Sequence, residues 1–100
     1  MILMRTMTDR SGEGPWTVYI LKCADGTLYT GIARDAERRL EEHRTGKGAK
    51  YLRGRKPLEM VFNQTVESRS RALYYEIKIK KLTRIQKQAL VSNPSLFNNL

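Results

Sequence analysis

The stretch over residues 17–33 predicts a β-hairpin, and it constrains the fold more than any other part of the chain. Its two arms, residues 17–22 and 27–33, are rich in β-branched and aromatic residues, as strands are. The sequence Ala-Asp-Gly at 24–26 separates the arms and supplies the residues that a tight turn requires. We therefore expect two adjacent antiparallel strands near the start of the folded chain.

Two turns can join these arms, and they give opposite registers. A two-residue Asp-Gly turn places Tyr19 and Tyr29 on opposite faces of the hairpin. A three-residue loop, with Gly26 in the left-handed conformation, instead sets Tyr19 opposite Gly31 and keeps Tyr29 on the same face. We prefer this register because its other face then holds a set suited to a core, namely Val18, Ile20, Leu28, Thr30 and Ile32. It leaves a glycine facing a tyrosine inside a strand, where glycine is normally unfavourable.

Downstream of the hairpin, the pattern predicts a strand and three helices. In chain order these are a helix from the N-cap Asp35 to Gly46, a strand over residues 58–64, a helix from Ser68 or Ser70 to about residue 82, and a helix from the capping box of Thr83 and Gln86 to about residue 91. The order β-β-α-β-α-α predicts an α/β (α+β) protein with an open three-stranded sheet covered by helices.

The length of 100 residues predicts one small domain, which we place at residues 15–93. Residues 1–14 show no structural period and are expected to form a flexible tail, and residues 94–100 are expected to form a C-terminal tail. The single cysteine and single histidine exclude an internal disulfide framework and a structural zinc finger. No segment has the length of a signal-peptide core or a membrane span, so we expect a cytoplasmic protein.

The charge of the chain is strongly positive and unevenly distributed. Its 19 Lys and Arg residues exceed the 10 Asp and Glu residues, which gives a net charge of +9. The segment 44–56 contains six basic residues and no acidic one, and no acidic residue follows Glu76. This clustering is typical of a protein that binds a polyanion such as nucleic acid, the alternative being a solvated basic surface.

Glu76 is the residue whose position most suggests chemistry. A helix over this segment places Glu76 inside a broad apolar arc, between Ala72 and Leu73. A buried carboxylate is costly unless it is paired or binds a metal. The two interpretations are therefore a structural ion pair and a metal-binding or catalytic role, and we favour the second.

The other candidate residues have ordinary explanations as well as chemical ones. Arg39 lies one turn before His43 on the same side of the predicted helix, where an arginine often packs only its aliphatic stem. His43 could act as a general acid or base, or simply pack. Tyr19 and Tyr29 favour strands for packing reasons, and a phenol becomes a useful base only if nearby cations lower its pKa.

Five motifs in chain order resemble those of the GIY-YIG nuclease superfamily. They are V18-Y19-I20, Y29-T30-G31, the helix segment D35-A-E-R-R39-L-E-E-H43, the run T45-G-K-G-A-K-Y51-L-R-G-R55 and the helix A72-L-Y-Y-E76-I-K-I-K. The basic run is similar to the short, single-domain bacterial branch of that superfamily. The resemblance covers about residues 16–91, with valine where the family name has its first glycine and Gln88 where many members carry asparagine.

The resemblance implies a three-stranded antiparallel sheet flanked by helices, and divalent-metal-dependent cleavage of DNA phosphodiester bonds in repair or processing. Carried over to this chain, it makes Tyr19 the base or its partner, Tyr29 the residue that orients water or substrate, Arg39 the residue that stabilises phosphoryl charge, His43 an aid to proton transfer, and Glu76 the ligand of one Mg²⁺ or Mn²⁺ ion.

The expected nucleic-acid contacts comprise Gly31, which would leave room beside the tyrosines, and residues of the basic segment, namely Lys47, Lys50, Tyr51, Arg53, Arg55 and Lys56. DNA is the expected partner, with RNA left open, and we expect neither an organic cofactor nor membrane association. The alternative function is a non-catalytic nucleic-acid-binding module that retains the GIY-YIG fold, and a third is a scaffold for an acidic protein. The oligomeric state is not predicted.

Overall fold

The computed structural model describes residues 13–47 and 56–100 and shows a three-stranded antiparallel sheet with helices on both faces. The strands are β1 (Glu13–Cys23), β2 (Leu28–Ala33) and β3 (Pro57–Ser68), in the sheet order β2-β1-β3. The helices are α1 (Ala36–Arg44), α2 (Arg69–Lys80) and α3 (Arg84–Ser92), and a 3₁₀ helix (Pro94–Asn99) follows them. The predicted fold class is confirmed. Within the described ranges, no helix has the length and apolar character needed to cross a membrane.

The hairpin has the register of the three-residue loop. The backbone N–H of Cys23 donates to the carbonyl oxygen of Thr27 at 2.9 Å, and Gly26 adopts a left-handed φ of 85°. Tyr19 consequently pairs with Gly31, and both lie on the same face as Tyr29. The turn chemistry and the distribution of apolar residues therefore fix the same register, as expected.

The sheet buries side chains on both faces, in two clusters of different size. The larger cluster lies between the sheet and α2, α3 and the 3₁₀ helix, and its buried members are Val18, Ile20, Phe62, Val66, Ala72, Ile79, Leu90 and Phe97. The smaller cluster lies against α1, and its buried members are Tyr19, Leu21, Cys23, Ala33 and Ala36. Alternate residues of β1 enter alternate clusters, as the period of a strand requires.

The helices begin at the residues that the capping signals predict. The side chain of Asp35 accepts from the backbone N–H of Arg38 at 3.1 Å, and Ser68 rather than Ser70 caps α2. Thr83 and Gln86 form the reciprocal capping box at the start of α3. Since each cap satisfies N–H groups that a helix start leaves unpaired, the short helices begin at defined residues.

Strands β1 and β3 are longer than the sequence pattern predicts. The predicted β1 begins at Thr17, whereas the observed strand begins at Glu13 and includes two residues of the expected N-terminal tail. β3 runs to Ser68 because its second half pairs with this extension, with Trp16 opposite Val66. Pairing between distant segments supplies backbone hydrogen bonds that local propensity does not reveal. Residues 1–12 of the expected tail lie outside the described residues.

The last residues belong to the packed domain and are not a loose tail. Residues 94–99 form the 3₁₀ helix, and Phe97 on it is only 4% exposed. The ring of Phe97 lies 4.1 Å from the ring of Tyr75 and 5.8 Å from that of Phe62, measured between centroids. The expected C-terminal tail is therefore corrected, because burial of one aromatic ring holds this segment against the core.

We expect Phe97→Ala to lower the free energy of unfolding by about 3–5 kcal/mol, because it removes a buried ring and leaves a cavity. The measurement is urea unfolding followed by far-UV circular dichroism. Leu96→Ala is the matched control on the same 3₁₀ helix, because Leu96 is 36% exposed and its loss costs much less. Equal losses for the two variants would contradict the packing of Phe97 described above.

Candidate active site

The ring of Tyr19 lies across Gly31, which explains the glycine inside β2. A Cβ atom built on Gly31 would stand 2.5 Å from the Tyr19 hydroxyl oxygen and 2.7 Å from Cζ of the same ring. Both distances are shorter than any ordinary carbon contact, so a side chain at position 31 would displace the phenol. The expectation that Gly31 makes room for substrate is therefore revised, because the room that it leaves is filled by Tyr19.

Tyr19 and His43 form a buried hydrogen-bonded pair. The Tyr19 hydroxyl lies 3.1 Å from Nε2 of His43, and the two residues are 1% and 3% exposed. The ring of Tyr29 stands edge-on to the imidazole, with 5.7 Å between the ring centroids. The sequence places these three residues on two strands and a helix, and the fold brings them into one aromatic cluster.

Arg39 lies on α1 one helical turn before His43 and interacts with Tyr19. Its guanidinium forms an ion pair with Glu42, in which Nη1 donates to Oε1 at 2.9 Å, and this contact raises the pKa of Arg39. The Arg39 side chain is 40% exposed, so the cation lies at the rim of the cluster and is accessible to a ligand. Arg39 thus combines a contact to the buried phenol with access to solvent.

Burial dominates the acid–base properties of Tyr19. Loss of solvation, reinforced by Tyr29, raises the pKa of Tyr19 to about 12, although the positive charge of Arg39 acts in the opposite direction. A nearby cation is therefore present, as a useful phenolic base would need, but desolvation of the phenolate outweighs its effect on the pKa of Tyr19. The free protein therefore holds Tyr19 as a neutral phenol at physiological pH.

His43 is also neutral in the folded protein. Burial lowers its pKa below the ordinary value, and the positive charge of Arg39 lowers it further. A neutral imidazole carries one N–H group and one acceptor nitrogen. When the proton of His43 resides on Nδ1, Nε2 accepts the hydroxyl proton of Tyr19, and the pair is arranged for proton transfer from phenol to imidazole.

Glu76 lies on α2, which packs on the opposite face of the sheet from α1. Its negative charge contributes to the raised pKa of Tyr19, and its side chain is only 18% exposed. Nζ of Lys80 lies 3.3 Å from the Glu76 carboxylate, one turn further along the helix. The interpretation as an ion pair is therefore realised in the free protein, beside a position that also suits ligand binding.

A metal ion in this region would have Glu76 as its protein carboxylate ligand and would not enter a preformed site of several ligands. Within the described ranges, no group of three or more His, Cys, Asp or Glu residues is placed to hold a metal ion. Mg²⁺ is commonly bound by one or two protein carboxylates, with water and phosphate oxygens completing the shell. Glu76 fits a site of that kind, because it offers a hard oxygen ligand beside the phenol cluster.

The structure describes three of the predicted nucleic-acid-binding residues. Gly31 is buried beneath the ring of Tyr19, so it is not exposed for contact with a nucleic acid. Lys47 and Lys56 are exposed at the two ends of the basic segment, and the carbonyl oxygen of Lys56 accepts from the backbone N–H of Ala24 at 3.1 Å. The remaining predictions lie outside the described residues, namely Lys50, Tyr51, Arg53 and Arg55.

The sequence prediction includes Arg39 and Glu76 but not the residues that form ion pairs with them. Glu42 pairs with Arg39 three residues earlier, and Lys80 pairs with Glu76 four residues earlier. Both spacings place side chains on the same face of a helix, so this signal is readable from the sequence. It is also very common in basic helices, and it does not distinguish a site from a solvated surface.

Comparison with known proteins identifies the same family in sequence and in structure. Residues 15–89 match the family model described as the GIY-YIG catalytic domain. The UPF0213 protein YhbQ of Escherichia coli K12 is 48% identical over 86 residues, which is 86% of each chain. The solution structure of the UPF0213 protein BH0048 from Bacillus halodurans is 41% identical and covers 84% of this chain and 93% of that one, with a TM-score of 0.52. The protein EF2693 from E. faecalis is likewise 41% identical, covers 84% of this chain and 92% of that one, and has a TM-score of 0.58.

We expect Gly31→Ala to destabilise the protein by about 1–3 kcal/mol, because the new methyl group collides with the buried phenol of Tyr19. The same substitution made in a Tyr19→Ala background should cost much less, since the ring that it meets is then absent. Denaturant unfolding of the four proteins in this double-mutant cycle measures the coupling. Additive effects would contradict the packing of Tyr19 across Gly31.

We expect Tyr19 to make folding stability fall at high pH. The unfolded phenol ionises near its ordinary pKa of about 10, whereas the folded group holds its proton until about 12. The stability that this difference provides is complete below pH 10 and is lost between those two values, by about 1.4 kcal/mol at pH 11. Unfolding of the wild type and Tyr19→Phe at pH 9 and pH 11 tests this, and the wild type should lose more. Equal losses would contradict the shift.

Proposed function

Since this chain belongs to the GIY-YIG catalytic domain family, we propose that it is a divalent-metal-dependent endonuclease that hydrolyses DNA phosphodiester bonds. The observation that carries the proposal is the hydrogen bond of 3.1 Å between the Tyr19 hydroxyl and His43 Nε2. It couples a phenol to a neutral imidazole, and the phenol also interacts with Arg39 and is affected by the charge of Glu76. Acceptors for a proton, a cation for phosphate and a metal-binding carboxylate are the groups that this hydrolysis requires.

The proton transfer assigned to Tyr19 and His43 follows from their pKa values. Tyr19 is a weak acid in the free protein, so it is a neutral relay and not a standing phenolate. A water molecule that attacks phosphorus gives its proton to the Tyr19 oxygen as the Tyr19 hydroxyl proton passes to Nε2 of His43. His43 is suited to receive it because burial keeps the imidazole neutral and so able to accept.

Arg39 is assigned to the charge that develops on the phosphoryl oxygens. Its guanidinium is partly exposed and holds one carboxylate, Glu42, in the free protein. A phosphate group accepts two parallel N–H bonds from a guanidinium, which fixes the orientation of the phosphate as well as its charge. Substrate binding would then replace or supplement the single hydrogen bond from Arg39 Nη1 to Glu42 Oε1 with contacts to phosphate.

Glu76 is the residue assigned to the metal ion. One Mg²⁺ or Mn²⁺ ion held there would neutralise charge on the phosphate and on the leaving oxygen. In the free protein the Glu76 carboxylate is held by Lys80. Lys80 therefore keeps the carboxylate compensated until a ligand replaces it.

DNA is proposed as the substrate because phosphodiester cleavage by this family acts on a polyanion and the chain carries a net charge of +9. The role that we propose for this cleavage is in DNA repair or processing. RNA shares the same phosphodiester linkage, so substrate assays include both polymers.

A second candidate is a nucleic-acid-binding module without catalysis. Two observations favour it, namely the high pKa of Tyr19 and the existing ion pair between Glu76 and Lys80. Both describe a site that is stable without metal or substrate. This candidate differs from the nuclease in a measurable way, because it predicts salt-sensitive binding with no requirement for a divalent ion and no cleavage.

We expect the wild type to cleave DNA only when Mg²⁺ or Mn²⁺ is present, in an assay over duplex, flap, branched and single-stranded substrates and matching RNA. Tyr19→Phe, Arg39→Ala and Glu76→Gln should each lower the cleavage rate by about 10²-fold or more, because each removes a proton acceptor, a phosphate cation or the metal ligand. Product release is measured on denaturing gels with end-labelled strands.

Glu67→Gln is the control for the loss of one carboxylate. Glu67 is exposed on β3 and pairs with Arg71, away from the Tyr19 cluster, so its substitution should leave the rate unchanged. Metal-dependent cleavage that survives all three site substitutions would show that the assignment of the site is wrong. Salt-sensitive binding by the wild type without cleavage of any substrate would instead establish the second candidate.

A further inference from the structure

A groove runs along the outer edge of the sheet, next to the candidate active site. It has a volume of about 400 Å³ and is lined by Leu28, Tyr29, Thr30, Lys80 and Lys87. β2 is the edge strand of the sheet, so this groove lies between its free edge and the two helices that follow β3. The groove adjoins the site because Tyr29 belongs to the aromatic cluster and Lys80 contacts Glu76.

Two lysines from different helices give this groove its charge. Lys80 is at the end of α2, and its side chain is 54% exposed although it contacts Glu76. Lys87 on α3 is half-buried in the groove, and across residues 13–47 and 56–100 it forms no ion pair. A half-buried lysine packs its aliphatic stem and leaves its ammonium group free to bind an anion in the groove.

Thr30 is a buried polar residue in the wall of this groove. It is 2% exposed, and its Oγ1 atom makes no hydrogen bond within the described part of the chain. A buried hydroxyl without a partner is uncommon and costs free energy. Thr30 is one of the residues that line the groove, so this unpartnered hydroxyl lies in the wall of the groove and not on its surface.

The positive charge continues along the hairpin beyond this groove. A second groove of about 440 Å³ shares Leu28 with the first and is lined also by Lys22 and Arg84. Arg84 Nη2 donates to the carbonyl oxygen of Gly26 at 2.8 Å, which holds the guanidinium against the hairpin turn. Among the described residues, no acidic side chain lines either groove. The cations are therefore spread over two neighbouring grooves and are not gathered in one, which suits a linear polyanion better than a small anion.

We propose that this edge surface, formed by Lys80 and Lys87 and continued by Arg84 and Lys22, binds the phosphate backbone of the DNA strand that flanks the cleaved bond. The inference rests on the proposed function for its choice of DNA, and it adds a binding surface separate from the basic segment 44–56. Backbone contacts of this kind position a strand without reading its sequence. The surface would hold the strand in register with Tyr29 and Glu76.

The test measures binding without cleavage. Fluorescence anisotropy of a labelled 30-base-pair DNA duplex in EDTA compares the wild type, Lys87→Gln and the double variant Lys80→Gln/Lys87→Gln across a series of salt concentrations. The double variant should bind at least about 10-fold more weakly at low salt, and the slope of log affinity against log salt should fall by about 2. Lys87→Gln should show about half of the change in slope and leaves the Glu76 ion pair intact.

Arg71→Gln/Lys78→Gln is the matched control, because it removes two positive charges from α2 and so changes the net charge by as much as Lys80→Gln/Lys87→Gln does. Arg71 and Lys78 flank the exposed ring of Tyr74 on α2, at 4.9 Å and 5.5 Å from its centroid. Circular dichroism confirms that each variant is folded. If this control weakens binding as much as the Lys80/Lys87 variant does, net charge explains the result and the proposal is overturned.

The outcomes separate this inference from the proposed function. If the wild type cleaves DNA but Lys80→Gln/Lys87→Gln retains wild-type affinity and salt slope, the nuclease assignment stands and the edge surface is wrong. If the double variant loses affinity selectively while the wild type cleaves no substrate, the edge surface stands and the nuclease assignment is wrong. A wild type that binds no DNA overturns the edge surface.

Discussion

The contact between Tyr19 and Gly31 is the constraint on which the organisation of the site depends. The phenol lies across the neighbouring strand only because position 31 carries no side chain. From there its hydroxyl reaches His43 on α1, and its ring forms part of the smaller core cluster with Leu21. One aromatic residue thus belongs both to the core and to the candidate site, and its burial follows from its packing. The same burial keeps the phenol protonated, so its reactivity depends on the hydrogen-bonded imidazole and on what binds at the rim.

The charged residues of the site share a common arrangement around this neutral pair. Arg39 and Glu76 each contact a counter-ion on their own helix, three or four residues later. Ion pairs of this kind contribute only about 0–1 kcal/mol when they are partly exposed. Such partners orient the side chains in the free protein and are inexpensive to replace. Under the proposed function, Arg39 would exchange its contact with Glu42 for a phosphate, and Glu76 would exchange its contact with Lys80 for the ligand that it binds.

Much of the fold could be predicted because its signals are local. The Ala-Asp-Gly turn sets the hairpin register, and Asp35 and the Thr83 capping box mark two helix starts. The added length of β1 and β3 could not be predicted, because it depends on pairing between segments about 50 residues apart in sequence. The packing of Phe97 shares this property, since a single aromatic residue after a proline carries no periodic signal. Local chemistry fixes where elements begin, whereas long-range contacts decide how far they extend.

The candidate site shows the same division between local and long-range information. The motifs predict a set of candidate site residues, and the fold brings three of them, Tyr19, Tyr29 and His43, together. The role of Gly31 was predicted differently, because sequence does not show which ring crosses which strand. The edge surface was not predicted at all, since Lys80 and Lys87 look like ordinary helix-surface lysines until β2 is placed beside them.

The position of β2 at the edge of the sheet connects these observations. Adjacent residues of a strand point to opposite faces, so Tyr29 faces the cluster under α1 and Thr30 faces the side of α2 and α3. If β2 were an inner strand, its neighbouring strands would separate the two faces of the sheet from each other. Because β2 is an edge strand, both faces are accessible along its free edge, which forms the rim of the site. Glu76 and Lys80 reach that rim from α2, and Arg39 reaches the cluster from α1. A strand of nucleic acid lying along the rim would therefore meet side chains from both faces of the sheet. In this way two helices on opposite faces of a three-stranded sheet can contribute to one site.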